Sequence, residues 1–279
     1  MIKALYAPME EMEAFQQIRR RMQKAYQGMI LAGGCIDSQK AHLIGCLSRD
    51  YPVTCILAPD DLRAREICEN YRIFDEHVLL YPARDFLFFQ ADLQSRTLTT
   101  QRVRCMKALA DITAGLGHER VTIVLTQRSL MSHCMKAEDW MDAIRSYAQG
   151  DEMDPQEEKK VLSLMGYERV DLVEEAGQYA SRGGILDIFP LTEENPVRIE
   201  LWGDEIDSIR YFDAQSQRTK EQIQQVRVYP AAEFVTSPSI TRNGLVRIEK
   251  EAKALEKKLR GIQKNEEASR GCGRAPAVL

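Results

Sequence analysis

Gly34-Cys35-Ile36-Asp37-Ser38-Gln39-Lys40-Ala41 is the stretch of this chain that comes closest to phosphate chemistry. In the pattern G-x-x-x-x-G-K-[ST], glycines let backbone N–H groups wrap a phosphate, the lysine neutralises it, and the final hydroxyl ligates Mg²⁺. Gly34 and Lys40 match. Gln39 stands where the second glycine is needed and Ala41 where the hydroxyl is needed, while Asp37 adds a negative charge inside the loop. The lost roles are the chemical ones. The segment therefore reads as a degenerate P-loop kept as a turn, not expected to bind nucleotide. No strand ends in the paired acids that would complete such a site; Asp60-Asp61 follows Pro59 and fits a helix cap better. Cysteine and histidine chemistry is equally thin. The seven cysteines (Cys35, Cys46, Cys55, Cys68, Cys105, Cys134 and Cys272) form no C-x-x-C pair, and the four histidines give no spaced ligand set. No metal, cofactor or disulfide framework is expected, and no catalytic residue.

Recognition chemistry is better represented. In Val197-Arg198-Ile199-Glu200-Leu201-Trp202, strand parity sends Val197, Ile199 and Leu201 to one face and Arg198, Glu200 and Trp202 to the other. The first set is core. The second places a tryptophan among charges, the composition of an interface hot spot. Two readings stand at this point: Trp202 is a contact for a partner, or it folds under a neighbouring loop. Arg182, just before Gly183-Gly184, is likewise either a contact or an ordinary solvated or paired arginine.

Two kinds of element position these residues. In the first half, apolar runs at Met29-Ala32, Val53-Leu57, Val78-Leu80 and Val121-Leu125 alternate with helical spacing over 40–47, 61–74 and 97–116. That alternation predicts a parallel sheet flanked by helices. The character changes around residues 135–160, with a charge-rich helix over 157–165. After Gly166 come short antiparallel strands, with Gly203-Asp204 as a two-residue hairpin turn before Glu205 to Phe212. From Leu245, the positions Leu245, Ile248, Ala252, Leu255, Leu259 and Ile262 step by three or four, an amphipathic helix. The tail Gly271 to Pro276 has no pattern and is expected to be disordered. The fold expected is α/β: residues 1–143 form a parallel-sheet, P-loop-like domain of degenerate RecA type. Residues 144–229 form a smaller, inserted, mainly antiparallel α+β domain, and 230–279 return to the first domain and stop partway through it.

A net charge of -4 gives no global footprint for nucleic acid, so DNA binding by the chain alone is expected to be weak. Met1-Ile2-Lys3-Ala4-Leu5 runs into Glu10, Glu11 and Glu13, which is no signal peptide. No apolar run reaches the ~20 residues of a membrane span. The expected location is cytoplasmic, without membrane contact.

The stretch Gly166-Tyr167-Glu168-Arg169-Val170, through Gly177 to Pro190 (GQYASRGGILDIFP), then Val197 to Arg210 (VRIELWGDEIDSIR) and Asp213 to Arg218, resembles the domain shared by the excision-repair protein UvrB and the transcription-repair coupling factors. The form RGGILDIFP…RIELWGDEIDSIR is closer to the coupling factors' amino-terminal module. So is the degenerate P-loop, which is intact in UvrB. The stretch between Asp85 and Thr97, with Phe86 to Asp92, is too short for UvrB's damage-probing hairpin. The resemblance implies a fragment of a larger ATP-dependent translocase that removes stalled RNA polymerase and recruits UvrA. It implies that Arg182, Arg198 and Trp202 belong to a UvrA-binding face, with Arg169 matching an arginine so used in UvrB. RNA polymerase and DNA would be met only through a carboxy-terminal part not included here, and the fragment itself would not be an enzyme. The competing reading is an active UvrB-like, nucleotide-dependent DNA-binding ATPase, which Gln39 and Ala41 oppose; a nonfunctional truncated product is a third.

Overall fold

The computed structural model describes residues 2–23, 28–84, 92–117, 119–236 and 238–271. Phe86 to Ala91, read above as too short for a hairpin, and the tail from Cys272 lie outside the described residues. The chain divides into two compact units, Met1–Val235 and Thr236–Leu279.

The first unit opens with α1 (Ile2–Glu10), α2 (Glu13–Gln23) and α3 (Asp37–Ser48), followed by β1 (Val53–Ala58), α4 (Asp61–Tyr71), β2 (Val78–Tyr81), α5 (Asp92–Thr113) and β3 (Val121–Thr126). β3 runs parallel to both neighbours in the order β1-β3-β2. Its side chains are buried throughout, as expected of the central strand of a parallel sheet covered on both faces. Asp60 caps α4, its carboxylate accepting the Arg63 N–H at 2.8 Å, as the Pro59-Asp60-Asp61 run predicts.

One expected strand is missing. Met29 to Ala32 is irregular, with Met29 and Leu31 nearly 90% exposed (88% and 89%). A strand exists through its ladder, and this segment pairs with neither outer strand of the sheet, β1 or β2, so its backbone stays at the surface. The turn at Gly34 thus follows a coil, not a sheet strand.

Next come α6 (Gln127–Leu130), α7 (Ala137–Met141), β4 (Arg145–Ala148), α8 (Pro155–Leu164), β5 (Glu168–Arg169), β6 (Gln178–Arg182), β7 (Ile185–Ile188), β8 (Val197–Trp202), β9 (Glu205–Phe212), β10 (Thr219–Ile223) and β11 (Gln225–Val228). Six of these strands form a sheet ordered β10-β9-β8-β7-β6-β5, antiparallel except for the β5–β6 pair, and β11 pairs antiparallel with β4. The architecture is therefore mixed α/β, a parallel three-stranded sheet with separate antiparallel sheets. α5 is the element both parts share. Its Cys105 packs with Val121 and Ile123 of the parallel sheet, and its Val103 and Ala110 join the core built on Leu162, Leu186, Ile199 and Ile209.

A strap from Tyr229 to Val235 closes the unit. The Tyr167 hydroxyl donates to Tyr229 O at 2.6 Å, Ala231 N–H to Met165 O at 2.9 Å, and the Trp140 indole N–H to Ala232 O at 3.0 Å. Glu233 then pairs with Arg102 and Arg84 beneath the end of β2.

The second unit holds α9 (Pro238–Gly271), longer than the pattern from Leu245 alone predicts. Its charged face carries the i,i+4 pairs Lys253–Glu249 and Arg260–Glu256, each at 2.6 Å. Among the described residues no helix is long and apolar enough to cross a membrane, and no group of three or more His, Cys, Asp or Glu stands together to hold a metal.

Candidate functional site

Gly34 turns the chain into α3 from the left-handed region, φ +78°, where a side chain would be strained. Gln39 then does the reverse of the glycine it replaces. Its Oε1 accepts the Ile36 N–H at 3.1 Å, consuming a backbone donor that a phosphate would need. Lys40 Nζ lies 3.1 Å from Asp37 Oδ1, and Arg63 Nη2 lies 2.5 Å from Asp37 Oδ2. The Asp37 carboxylate sits at the first residue of the helix, where the macrodipole favours an anion. Lys40 and then Arg63 hold its carboxyl below the usual carboxylate range. The loop carries its own anion, and Ala41 offers no oxygen to Mg²⁺. Calorimetric titration with Mg-ATP is expected to give no micromolar isotherm; a Mg²⁺-dependent micromolar affinity would overturn this.

The antiparallel sheet builds a different kind of site. Register sets Arg182 against Ile185 and Ile185 against Glu200, while the neighbouring row runs Ala180, Asp187, Arg198, Arg210. By parity these side chains share one face, and Tyr179, Leu186, Ile188, Val197, Ile199 and Ile209 fill the core from the other. Between Glu200 and Leu201 the pairing with β9 shifts, so that Leu201 opposes Ile206 and Trp202 opposes Glu205. The extra residue of this bulge is Asp207 on β9, and Leu201, expected in the core, packs against that core while remaining half-buried near the end of β8. Trp202 ends β8 with 84% of its surface exposed, so it does not fold under a neighbouring loop.

The Gly183-Gly184 turn is pressed against the end of β8. Leu201 N–H donates to Gly184 O at 2.7 Å, and a Cβ on Gly184 would stand 3.0 Å from Leu201 O. A side chain there would push the two strands apart, which is why the second residue of the turn is glycine. Arg182, exposed at the entrance to this turn, is thereby brought to the same end of the sheet as Trp202. Two strand spacings and two residues of rise put their Cα atoms on the order of 12 Å apart.

Arg198 is on this face but not free on it. Its Nε and Nη2 donate to the two carboxylate oxygens of Asp187 at 2.7 and 2.8 Å, and Nη2 also donates to Gln217 Oε1 at 3.0 Å. The guanidinium lies over the Phe212 ring, 4.4 Å from its centroid, and only 19% of the side chain is exposed. Gln217 belongs to the β9–β10 connection, which Asp213 pins. One Asp213 oxygen accepts both the N–H and the hydroxyl of Ser216 at 2.8 Å, and the other lies 3.3 Å from Lys220. These donors pull the Asp213 carboxyl down to about 2.

Arg169 is not brought to this patch. It lies on β5 at the far edge of the sheet and pairs with Tyr179, whose parity is that of the core face. Asp187, Phe212 and Gln217 went unread in the sequence. Asp187 had a signal, a lone charge inside the apolar run Ile185 to Phe189 in a strand next to one bearing arginine. Gln217 had none, because its place depends on a backbone twist.

Residues 146–234 match the family model described as the UvrB interaction domain. Over 260 residues the chain is 28% identical to the transcription-repair-coupling factor of Bacillus subtilis (strain 168), a match covering 92% of this chain and 22% of that protein. It is 33% identical over 168 residues to the transcription-repair-coupling factor of Staphylococcus aureus (strain bovine RF122 / ET3-1), covering 60% of this chain and 14% of that protein. The chain thus spans less than a quarter of the length of these relatives. The resemblance read from the sequence, to the amino-terminal UvrB-like module of transcription-repair coupling factors, is borne out by these matches.

Proposed function

We propose that this chain, with a UvrB interaction domain at residues 146–234, is a docking module that presents the β6–β8 end of its antiparallel sheet to UvrA during transcription-coupled excision repair. The observation that carries the reading is Trp202, 84% exposed beside Arg182 within the matched domain. A large aromatic left in water on a rigid sheet, with a guanidinium close by, has the composition of a binding hot spot. By the same reading, residues 1–143 are a degenerate RecA-like domain into which 144–229 are inserted, and 230–279 return to the first domain. Translocation on DNA and removal of RNA polymerase reside in parts of the longer relatives outside this chain, and the work is done in the cytoplasm. Neither catalysis nor tight DNA binding is assigned to residues 1–279, whose net charge is -4 and whose loop at Gly34 is filled by Asp37.

The direct test is a titration of the chain with purified UvrA, followed by the same titration with Arg182→Ala. A guanidinium contact to a carboxylate or carbonyl of the partner is worth about 1–3 kcal/mol, so the variant should bind measurably more weakly with an unchanged melting midpoint. Absence of any complex between the unaltered chain and UvrA at tens of micromolar would sink the reading.

A further inference from the structure

We infer that Gln217 is a positioning residue of the docking face, holding the Arg198 guanidinium so that its Nη1 edge is the part a partner meets. The inference rests on the docking reading above. A guanidinium has five N–H donors. Here Nε–H is spent on Asp187 Oδ1, and the two hydrogens of Nη2 are spent on Asp187 Oδ2 and Gln217 Oε1. Among the described residues nothing accepts from Nη1. Phe212 fixes the plane of the group from below. The outcome is a planar cation clamped on one edge and one face, with a single forked pair of donors left over. Such a pair suits a carboxylate or carbonyl oxygen of the partner.

The backbone of Gln217 marks it out from the other residues of the clamp. At φ 57° it is the one non-glycine in the left-handed region among the described residues. A glycine would take that conformation without strain, and the position is in an exposed hairpin loop where glycine is common. Glutamine is kept there with both ends of its amide engaged. Oε1 accepts from Arg198, and Nε2 donates to Ala214 O at 2.8 Å and Val173 O at 3.4 Å. Val173 is fully buried in the preceding segment, so the amide ties the hairpin loop, that segment and the arginine into one piece. Strain retained in a polar side chain aimed at a neighbouring charge is a pointer to function.

The variant that separates the side chain from the strain is Gln217→Gly. Thermal melts should stay close to the unaltered chain, since relief of the twist offsets the lost amide. UvrA affinity should fall about threefold to tenfold, the effect of loosening a supporting contact. In an Arg198→Ala background the same change should cost nothing further, because the group it positions is gone. In the free chain, the ¹⁵N-labelled Arg198 guanidinium should show hindered rotation that is faster, though not free, in Gln217→Gly, where Asp187 still holds two of its nitrogens. If glycine lowers the melt, Gln217→Asn is the second variant; asparagine accepts the left-handed backbone but is a methylene short, and the same weakening is expected. Wild-type affinity for Gln217→Gly while Arg198→Ala binds weakly, or additive losses in the double variant, would overturn the inference and leave the docking reading standing. Wild-type affinity for Arg198→Ala and Trp202→Ala alike would overturn both.

Discussion

Trp202→Ala is expected to weaken association with UvrA by at least about 2 kcal/mol, roughly thirtyfold, while leaving the melting midpoint within error of the unaltered chain. The two halves of that expectation have separate causes. In the free chain the indole is 84% exposed, so truncating it removes almost no packing. In a complex it would be the largest apolar group on this end of the sheet. Its burial would exclude water from around Arg182 and the Nη1 edge of Arg198, where charge-assisted hydrogen bonds strengthen as water leaves. The contrasting variant is Ile199→Ala, on the same strand with its side chain fully buried among Leu186, Val197 and Ile209. That change should lose about 2–5 kcal/mol of folding stability through the cavity it opens. Leu201, which parity alone would choose as this control, is half-exposed behind the bulge and should lose less. A Trp202→Ala chain that binds UvrA as tightly as the original, with an unchanged melt, would remove the tryptophan from the interface.

How much of this was legible beforehand depends on whether the determining interaction is local. The Gly203-Asp204 turn, the alternation over Val197 to Trp202 and the cap at Asp60 are set by residues within a few positions of each other, and the structure shows each of them. Met29 to Ala32 reads equally well as a strand, yet strand formation also needs a partner edge, and that is decided far away in the sequence. The loss of chemistry at Gln39 and Ala41 could be read by comparison with the pattern. That Asp37 would fill the vacancy by drawing in Arg63 from α4 could not, because no spacing rule joins those two residues. The same holds on the face of the antiparallel sheet that carries Arg198. Parity placed Arg198 outward correctly, but only the register between β7 and β8 shows that Asp187 takes two of its donors. The sheet face is best described as two exposed side chains, Arg182 and Trp202, beside one that is held, Arg198.

The largest effect on folding is expected from Glu233→Ala, a loss of about 3–5 kcal/mol on urea denaturation. Arg102 is fully buried and Glu233 nearly so, at 0% and 1% of side-chain surface. Arg102 Nε lies 2.7 Å from Glu233 Oε1, and its other nitrogens donate to Pro82 O at 2.8 Å, the Tyr81 hydroxyl at 2.5 Å and the Ser132 hydroxyl at 3.2 Å. Those neutral acceptors orient the guanidinium but cannot neutralise it. Removing the carboxylate would leave a full charge in a dry site, which costs far more than the pair contributes when intact. Arg84 meets the same carboxylate oxygen at 2.9 Å but keeps 38% of its side chain exposed, so Arg84→Ala should cost clearly less. The informative control is Arg102→Met combined with Glu233→Leu, which removes both charges while filling the volume; most of the stability should return. Because Glu233 sits in the strap that follows the antiparallel sheets, beside the Trp140–Ala232 bond, its loss should also loosen the seat of those sheets on α5. Amide exchange in Tyr229 to Val235 would rise in step with the urea result. A loss below about 1 kcal/mol for Glu233→Ala, or no recovery in the double variant, would show that the buried pair is not what holds the strap.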